Sequence, residues 1–269
     1  MKNEKLSIRA RAIRKHILRM VSSGQSSHVG TALSCADILT VLYFSILNIN
    51  PKNPVDPDRD RFILSKGHGC TAQYATLAER GFFNPNILET YYQNGGLLGH
   101  ATCKMVPGME VSTGSLGHGL GLGVGMAYAA HLDSKKYRVF VVMGDGECNE
   151  GSVWEAALAA PQWGLDNLVA VIDYNQLQGC GKNQEVLDLE PFKAKWESFR
   201  WAVRDVDGHD TDALLKVFQK LPFETGKPSL VIAHTTKGKG VSFMENRVEW
   251  HYKSPNPEQH LQALKELSS

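Results

Sequence analysis

Two kinds of apolar pattern alternate along this chain. Short, nearly continuous apolar runs typical of buried strands lie at 61–64, 138–143, 168–173, 201–206 and 229–234. Around them, apolar residues recur at helical spacing over 6–21, 36–47, 70–79, 120–131, 152–160, 192–199, 211–220 and 257–267. Alternation of strands with helices is typical of parallel βαβ units. The pattern therefore predicts an α/β fold in which a parallel sheet carries helices on both faces.

Composition places the chain among globular proteins with a sizeable core. It has 269 residues, of which 42% are hydrophobic, and this length predicts a single domain over residues 1–269. The formal net charge of +1 gives no reason to expect nucleic acid as a partner. No apolar stretch approaches the roughly 18 residues of a membrane span, so no membrane partner is predicted. Scattered cysteines and a charged amino terminus without an apolar signal core predict a cytoplasmic protein.

The strongest chemical signal lies where two predicted strands end. Asp145 follows the run at 138–143, and Asn175 follows the run at 168–173. In an open parallel sheet the carboxyl ends of the strands line the ligand crevice, so these side chains are expected to converge. A carboxylate and an amide oxygen suit a hard cation such as Mg²⁺, which substrate phosphates often complete. Glycines on both sides of Asp145 let a bulky anion approach the backbone, and the whole predicts half of a metal–diphosphate site.

A plainer interpretation of Gly144-Asp145-Gly146 is an ordinary turn. The glycines do not form a dinucleotide-binding fingerprint, because Asn149 stands where the third glycine is needed. The chain also lacks the G-x-x-x-x-G-K-[ST] motif of a P-loop. The local motif therefore leaves a turn and a cofactor site open as alternatives.

Longer motifs favour the cofactor site. Residues 144–177 read GDGECNEGSVWEAALAAPQWGLDNLVAVIDYNQL, and further segments read SSHVG at 26–30, LSKGHG at 64–69, GHATCKMVPGMEVSTGSLGHG at 99–119 and KGKGVSFMENRVEWH at 237–251. In this order they closely resemble the amino-terminal, diphosphate-binding half of transketolases, especially the form that is split into two polypeptides. The resemblance covers nearly the whole chain and implies the fold of a thiamine-diphosphate-binding domain.

The resemblance implies thiamine diphosphate and Mg²⁺ as cofactors, with Ca²⁺ or Mn²⁺ as substitutes for the metal. The metal ligands that it implies are Asp145, Asn175 and the carbonyl oxygen of Leu177. The cofactor-binding residues that it implies are His68, Gly114, Ser115, Leu116, Asp145, Gly146, Glu147, Asn175 and His251. In this arrangement the metal anchors the diphosphate and does not act on the substrate.

The histidines divide into two groups. His28, His68, His100 and His251 lie in polar, glycine-flanked or aromatic aperiodic segments, and imidazole can donate or accept hydrogen bonds near pH 7. The resemblance implies His28 and His100 at the sugar substrate, and His251 near the diphosphate and the donor sugar. The histidines expected on solvated faces or at the ends of elements are His16, His131, His209, His234 and His260.

The chain departs from the family pattern at two places. His118 stands where transketolases often carry glutamine, and its role is left open. Ala101 and Thr102 stand where Pro-Glu commonly follows the histidine that corresponds to His100. The loop after His100 is therefore the part of the site that the resemblance defines least.

Glu150 has two interpretations. From the residues alone it is an acid in the first turn of the helix that starts near Ser152, where negative charge favours the helix dipole. The resemblance instead implies a catalytic role for Glu150 at the subunit interface, where it links two active sites by hydrogen bonds. The same resemblance leads us to expect the helix opened by Glu150 and the glycine-rich helix at 120–130 at contacts between subunits.

The function that the resemblance implies is ketol transfer. The expected partner is a carboxy-terminal transketolase subunit, the pyrimidine-binding half, because 269 residues cannot also contain that second α/β domain. Together, in a heterotetramer, they would pass a two-carbon ketol unit from a ketose phosphate to an aldose phosphate. The alternatives are a shortened single-chain enzyme, a transketolase-like enzyme of a specialised sugar or acyloin pathway, and a non-catalytic cofactor-binding subunit.

Overall fold

The computed structural model describes residues 2–268, with side chains from residue 5 onward. Its helices are α1 (Lys2–Ser23), α2 (Val29–Ser34), α3 (Ala36–Val41), α4 (Cys70–Arg80), α5 (His118–Leu132), α6 (Gly151–Gln162), α7 (Asn183–Val186), α8 (Phe192–Ser198), α9 (Thr211–Phe218) and α10 (Pro257–Glu266). Its strands are β1 (Arg61–Leu64), β2 (Val139–Gly144), β3 (Leu168–Tyr174), β4 (Ala202–Asp207) and β5 (Ser229–His234). Short 3₁₀ turns lie at Gly67–Gly69, Pro85–Thr90, Gly146–Asn149 and Val248–His251, and a π turn extends α3 over Leu42–Ile46.

The strands form one parallel sheet in the order β1-β2-β3-β5-β4. The register pairs Leu64 with Val142 and Gly144 with Asp173, so β1, β2 and β3 end at the same edge. The loops that follow these strands are therefore neighbours, although they are far apart in the chain. The predicted α/β fold with a parallel sheet is confirmed.

Each face of the sheet has its own core, as β2 illustrates. Phe140 and Val142 pack in a core that includes residues of α1, α3 and α4. Val139 and Val141 point to the opposite face and pack in a second core with residues of α5 and α6. Side chains alternate along a strand, so a strand that is buried on both faces must be apolar throughout. This explains the continuous apolar run at 138–143 and the helices on both faces.

The apolar pattern missed the shortest helices. α2 and α7 lie in segments where the apolar pattern predicts no helix. With six and four residues, these helices are too short to show a helical period in the sequence. Within residues 2–268, no helix combines the length and the apolar character that crossing a membrane requires. The single domain over 1–269 stays a prediction.

The glycines of α5 serve two different faces of this helix. A Cβ atom at Gly123 would lie 2.5 Å from Cγ2 of Val141, so glycine lets α5 approach β2 closely. Gly121 and Gly125 have nothing within 4 Å of the same position and face outward. Close packing is therefore found on the face of α5 that carries Gly123, whereas among the described residues no atom beyond the local helix backbone lies within 4 Å of a Cβ at Gly121 or Gly125.

This difference predicts opposite effects of alanine at the two kinds of glycine. Gly123→Ala should destabilise the chain by about 1–3 kcal/mol, because Val141 is buried in a strand and its β-branched side chain cannot turn away. Gly121→Ala is the matched control and should be neutral or stabilising by up to about 1 kcal/mol, because alanine favours helix over glycine. Urea denaturation of the isolated chain measures both. Equal effects of the two substitutions would contradict the packing described for α5.

Candidate functional site

A cleft of about 510 Å³ opens at the carboxyl edge of β1, β2 and β3. Its lining includes most of the predicted site residues: His28, His68, His100, Gly114, Leu116, Asp145, Gly146, Glu147, Asn175, Leu177 and His251. Ser115 and Glu150 are exposed and lie outside this lining. A second cavity of about 510 Å³ shares Asn175 and Leu177 with the cleft but contains none of the other predicted residues. The cleft therefore brings together most of the residues that are predicted to form the site.

The backbone holds Asp145 at the base of this cleft. Its carboxylate accepts hydrogen bonds from the N–H groups of Gly146, at 2.8 Å, and of Gln176 after the next strand. Only 2% of Asp145 is exposed, and burial raises the pKa of its carboxyl to about 6 despite these hydrogen bonds. A buried carboxylate whose charge is incompletely balanced is the environment that a bound cation relieves.

The other two predicted metal ligands, Asn175 and Leu177, line the same cleft. The side-chain oxygen of Asn175 accepts a hydrogen bond from the N–H of Leu177 at 3.1 Å. The carbonyl oxygen of Leu177 accepts a hydrogen bond from Nζ of Lys237 at 2.9 Å. Among the described residues, no group of three or more His, Cys, Asp or Glu side chains is placed to hold a metal. The predicted set contains one carboxylate, one amide and one backbone carbonyl, so it does not depend on such a group.

Lys237 is a site residue that sequence reasoning missed. Its side chain is 1% exposed, lines the cleft, and places Nζ 2.8 Å from Nδ1 of His251. Burial, together with the neighbouring ammonium of Lys66, lowers the pKa of Lys237 to about 8. The signal for it was its place shortly after β5, at the edge of the sheet where the other strands carry predicted ligands. A buried ammonium at this edge is suited to an anion.

Lys66 and Asp173 form an ion pair beneath the cleft, and both side chains are fully buried. Nζ of Lys66 also donates to the carbonyl of Thr31 at 3.0 Å. The carboxylate of Asp173 accepts hydrogen bonds from the hydroxyls of Ser34 and Thr235 as well. Burial opposes both charges and is the largest single effect, but their attraction and their hydrogen bonds together outweigh it, so the pKa of Lys66 is raised and the pKa of Asp173 is lowered.

The predicted site histidines form one cluster on the wall of the cleft. The rings of His68, His100 and His251 lie 4.9–5.0 Å from the ring of His28, measured between centroids. Nδ1 of His28 lies 2.9 Å from Nε2 of His100, and the N–H of His28 donates to the carbonyl of His251 at 2.8 Å. The structure therefore joins segments that are far apart in the chain.

The cluster is electrically neutral near pH 7. Burial is the largest cause, and it lowers the pKa of His28 to about 4 and the pKa of His251 to about 3. The pKa values of His68 and His100 are lowered as well, and the positive charge of Lys237 contributes at His28, His68 and His251. Neutral imidazoles can both donate and accept hydrogen bonds, which suits the hydroxyl groups of a sugar.

Glu147 and Glu150 occupy different environments. The buried carboxylate of Glu147 accepts hydrogen bonds from the hydroxyl of Ser65 and from the N–H groups of Gly117 and Gly144, at 2.9 Å and 3.1 Å. It therefore holds the loop before α5 against the loop after β2. Glu150 is the N-cap residue of α6, but its side chain makes no capping hydrogen bond. Its position at the start of α6 agrees with a favourable interaction of its charge with the helix dipole, and its role at a subunit interface stays a prediction.

His209 lies at the end of an element, as expected, because it follows the end of β4. Its side chain is only 15% exposed, and it takes part in a hydrogen-bond network. Nε2 of His209 accepts a hydrogen bond from the N–H of Thr236 at 2.8 Å, so Nδ1 carries the proton and donates to Asp37 at 2.8 Å. Asp37 is also paired with Arg14 at 2.5 Å. This network fixes the segment that leads to Lys237, and only the position of His209 at a strand end could have indicated it.

The sequence matches the protein family described as "Transketolase, thiamine diphosphate binding domain" over residues 6–267. It is 44% identical to one of the apulose-4-phosphate transketolase subunits, that of Phocaeicola vulgatus, in a match that covers 100% of this chain and 95% of that protein. It is 40% identical to "6-deoxy-6-sulfo-D-fructose transketolase subunit SqwG" of Clostridium sp., covering 97% of this chain and 96% of that protein.

Solved structures agree with this assignment of the fold. The transketolase of Campylobacter jejuni superposes with a TM-score of 0.93 at 28% sequence identity. The match covers 100% of this chain and 43% of that chain, so this chain spans less than half the length of that solved protein.

The lowered pKa values predict a loss of stability in acid. Between the ordinary histidine pKa of 6.5 and about 4 for His28, the unfolded chain binds more protons than the folded chain, so stability falls as the pH falls through this window. His28→Gln should therefore reduce the drop in the denaturation midpoint between pH 7 and pH 5. His131→Gln, which removes an exposed histidine of α5 outside the cluster, is the control. An unchanged drop in His28→Gln would contradict the burial of a neutral cluster.

Proposed function

The chain belongs to the transketolase family, in which it matches the thiamine diphosphate binding domain, and we propose that it holds the diphosphate end of this cofactor together with Mg²⁺. The observation that carries this proposal is geometric: the carboxylate of Asp145 and the ammonium of Lys237, which are 2% and 1% exposed, line one cleft. The carboxyl of Asp145 has a raised pKa, and the ammonium of Lys237 has a lowered pKa. A cation bound at Asp145 and an anion bound at Lys237 would relieve both at once.

The donor set supports Mg²⁺ as the cation. Asp145, Asn175 and the carbonyl of Leu177 offer the oxygen ligands that Mg²⁺ prefers, and diphosphate oxygens would complete them. Ca²⁺ and Mn²⁺ accept the same type of ligand. His68 and Lys237, with the backbone of Gly114, Leu116 and Gly146, would hold the diphosphate in the same cleft. Ser115 lies beside them as a further proposed contact.

We propose ketol transfer as the reaction, with two carbons passing from a ketose donor to an aldose acceptor. When bound, thiamine diphosphate supplies the stabilisation of negative charge that this carbon–carbon chemistry needs. His28 and His100 would bind hydroxyl groups of the sugar, and His251 would lie between the sugar and the diphosphate. Their neutrality near pH 7 lets each imidazole donate to one oxygen and accept from another.

The names of the two relatives favour a specialised sugar pathway over general pentose phosphate metabolism. A discriminating test assays ketol transfer from xylulose 5-phosphate, fructose 6-phosphate, apulose 4-phosphate and 6-deoxy-6-sulfofructose. The donor with the highest kcat/KM identifies the pathway. A non-catalytic role is the less favoured alternative, because Asp145, Asn175 and all four histidines of the cluster are retained and brought to one cleft.

The metal assignment predicts the effect of one isosteric substitution. Asp145→Asn should raise the Kd for thiamine diphosphate at saturating Mg²⁺ at least about 100-fold, since loss of a charged ligand removes most of the metal affinity. Calorimetric titration of the complex with its partner measures this Kd. Asp133→Asn, which removes an exposed carboxylate after α5, should leave it unchanged. If EDTA weakens cofactor binding but Asp145→Asn does not, Asp145 is not the metal ligand.

We further propose a pyrimidine-binding partner subunit, which is supported by relatives of similar length that are themselves named as subunits of transketolases. The outer face of α5 and α6 is apolar, with Leu122, Leu158 and Trp163 exposed by 42%, 61% and 46%. An exposed apolar face of this kind is typical of protein–protein contacts. We place the partner there, with Glu150 at the edge of the contact, and a heterotetramer would then contain two cofactor sites.

This arrangement predicts that the isolated chain has no ketol-transfer activity and that adding the partner subunit restores it. Leu158→Arg should weaken the assembly at least about tenfold, because it places a charge in an apolar contact. Leu261→Arg, on a residue of α10 that is 68% exposed, is the matched control and should assemble normally. Light scattering measures assembly, and a coupled assay measures activity. Full activity of the isolated chain would overturn the need for a partner.

A further inference from the structure

Tyr252 lies at the mouth of the cleft and is not among the predicted site residues. It follows His251 directly, lines the cleft, and is 64% exposed. Its ring centroid lies 4.6 Å from that of His251 and 5.8 Å from that of His28, and the planes of the Tyr252 and His28 rings meet at 65°. Asp145, in contrast, is 2% exposed at the base of the same cleft. The phenol therefore lies on the solvent side of the histidine cluster.

The phenol of Tyr252 packs closely against Gly179, another residue that lines the cleft. A Cβ atom at Gly179 would lie 2.5 Å from the hydroxyl oxygen of Tyr252, 3.1 Å from its Cζ and 3.3 Å from Nε2 of His251. No side chain larger than hydrogen fits there unless the phenol moves. Gly179 belongs to the short hairpin closed by the antiparallel bridge between Leu177 and Lys182. The Tyr252 ring thus packs against both the histidine cluster and the hairpin that carries the proposed metal ligand Leu177.

The phenol hydroxyl of Tyr252 is available to a ligand. Among the described residues, no hydrogen bond of this hydroxyl is found, although Tyr252 touches His28, His251 and Gly179. A Tyr side chain of this kind offers an apolar face and a polar tip, the combination that binds carbon chains bearing hydroxyl groups. A structural tyrosine would bury its ring, whereas this ring is open to the cleft.

The position of the Tyr252 ring determines which part of a bound ligand it contacts. If the diphosphate and metal are bound at the base, near Asp145, a sugar bound at His28 and His100 extends outward toward Tyr252. We propose that Tyr252 is a specificity-determining residue, whose ring, seated against Gly179, contacts the carbons of a ketose donor beyond the two that are transferred. This inference rests on the ketol transfer proposed above.

A comparison of two donor substrates distinguishes the effect of the Tyr252 contact from effects on the reaction itself. In a ketose the C2–C3 bond breaks, the two-carbon ketol unit bonds to the acceptor aldehyde carbon, and C3 leaves as the aldehyde of the shortened sugar. In hydroxypyruvate the bond between the keto carbon and the carboxylate carbon breaks, the two-carbon ketol unit bonds to the acceptor aldehyde carbon, the carboxylate leaves as CO₂, and one proton is taken up from water. Hydroxypyruvate has no carbons beyond this carboxylate, so it has nothing to place against the phenol.

The experiment compares kcat/KM for the ketose donor that the complex uses best with kcat/KM for hydroxypyruvate, using the cofactor-loaded complex with its partner. Tyr252→Ala should lower the ketose value about tenfold, equivalent to about 1.4 kcal/mol, and leave the hydroxypyruvate value and the cofactor Kd within about threefold. Tyr252→Phe keeps the ring and should stay within about threefold for both donors. Leu261→Ala, which shortens an equally exposed side chain on α10, is the control.

A second variant tests the fit against Gly179. Gly179→Ala should lower ketose turnover about fivefold by displacing the phenol, and it should add no further loss in the Tyr252→Ala background. If the wild-type complex uses hydroxypyruvate and a ketose but Tyr252→Ala changes their ratio by less than twofold, the role of Tyr252 is overturned while ketol transfer stands. If the wild-type complex uses neither donor, ketol transfer itself is overturned, and the role of Tyr252 with it.

Discussion

The buried ion pair between Lys66 and Asp173 is the interaction on which the rest of the site depends. It joins the loop after β1 to the end of β3, and its hydrogen bonds reach Thr31 and Ser34 of α2 and Thr235 after β5. Four separate parts of the chain are thus attached to one pair of charges beneath the cleft. Removing one partner of such a pair typically costs about 3–5 kcal/mol, because the other charge is left buried and uncompensated. The ion pair therefore stabilises the arrangement of the chain segments beneath the cleft.

The same charges explain the electrical character of the cleft. Lys66 is neutralised by Asp173, but Lys237 has no comparable partner among the described residues and is repelled by Lys66. This surplus positive charge, added to burial, keeps the neighbouring histidines neutral. Asp145 lines the same cleft, and the negative charge of its carboxylate is not fully balanced by its hydrogen bonds. The cleft thus combines a neutral wall suited to hydroxyl groups with a base suited to a metal and an anion.

The sequence predicted the parts of this structure that depend on repeated patterns. All five strands and the longer helices follow from apolar runs and helical spacing, because burial on two faces leaves a continuous signal. The convergence of Asp145 and Asn175 follows from parallel strands ending at one edge. In contrast, α2 and α7 are too short to be periodic, and Lys237, His209 and Tyr252 acquire their roles only through contacts with residues distant in the chain. The spacing of residue types along the sequence does not reveal contacts of this kind.

The hydrogen bond from the N–H of His28 to the carbonyl of His251 has a consequence for how the protein is made. It joins two segments that are far apart in the chain, so the histidine cluster of the cleft is incomplete until the ribosome has released the chain through residue 251. The sheet and its two cores draw mostly on earlier segments and can begin to form first. Ligand binding can therefore stabilise the finished fold, but it cannot guide the early steps of folding on the ribosome.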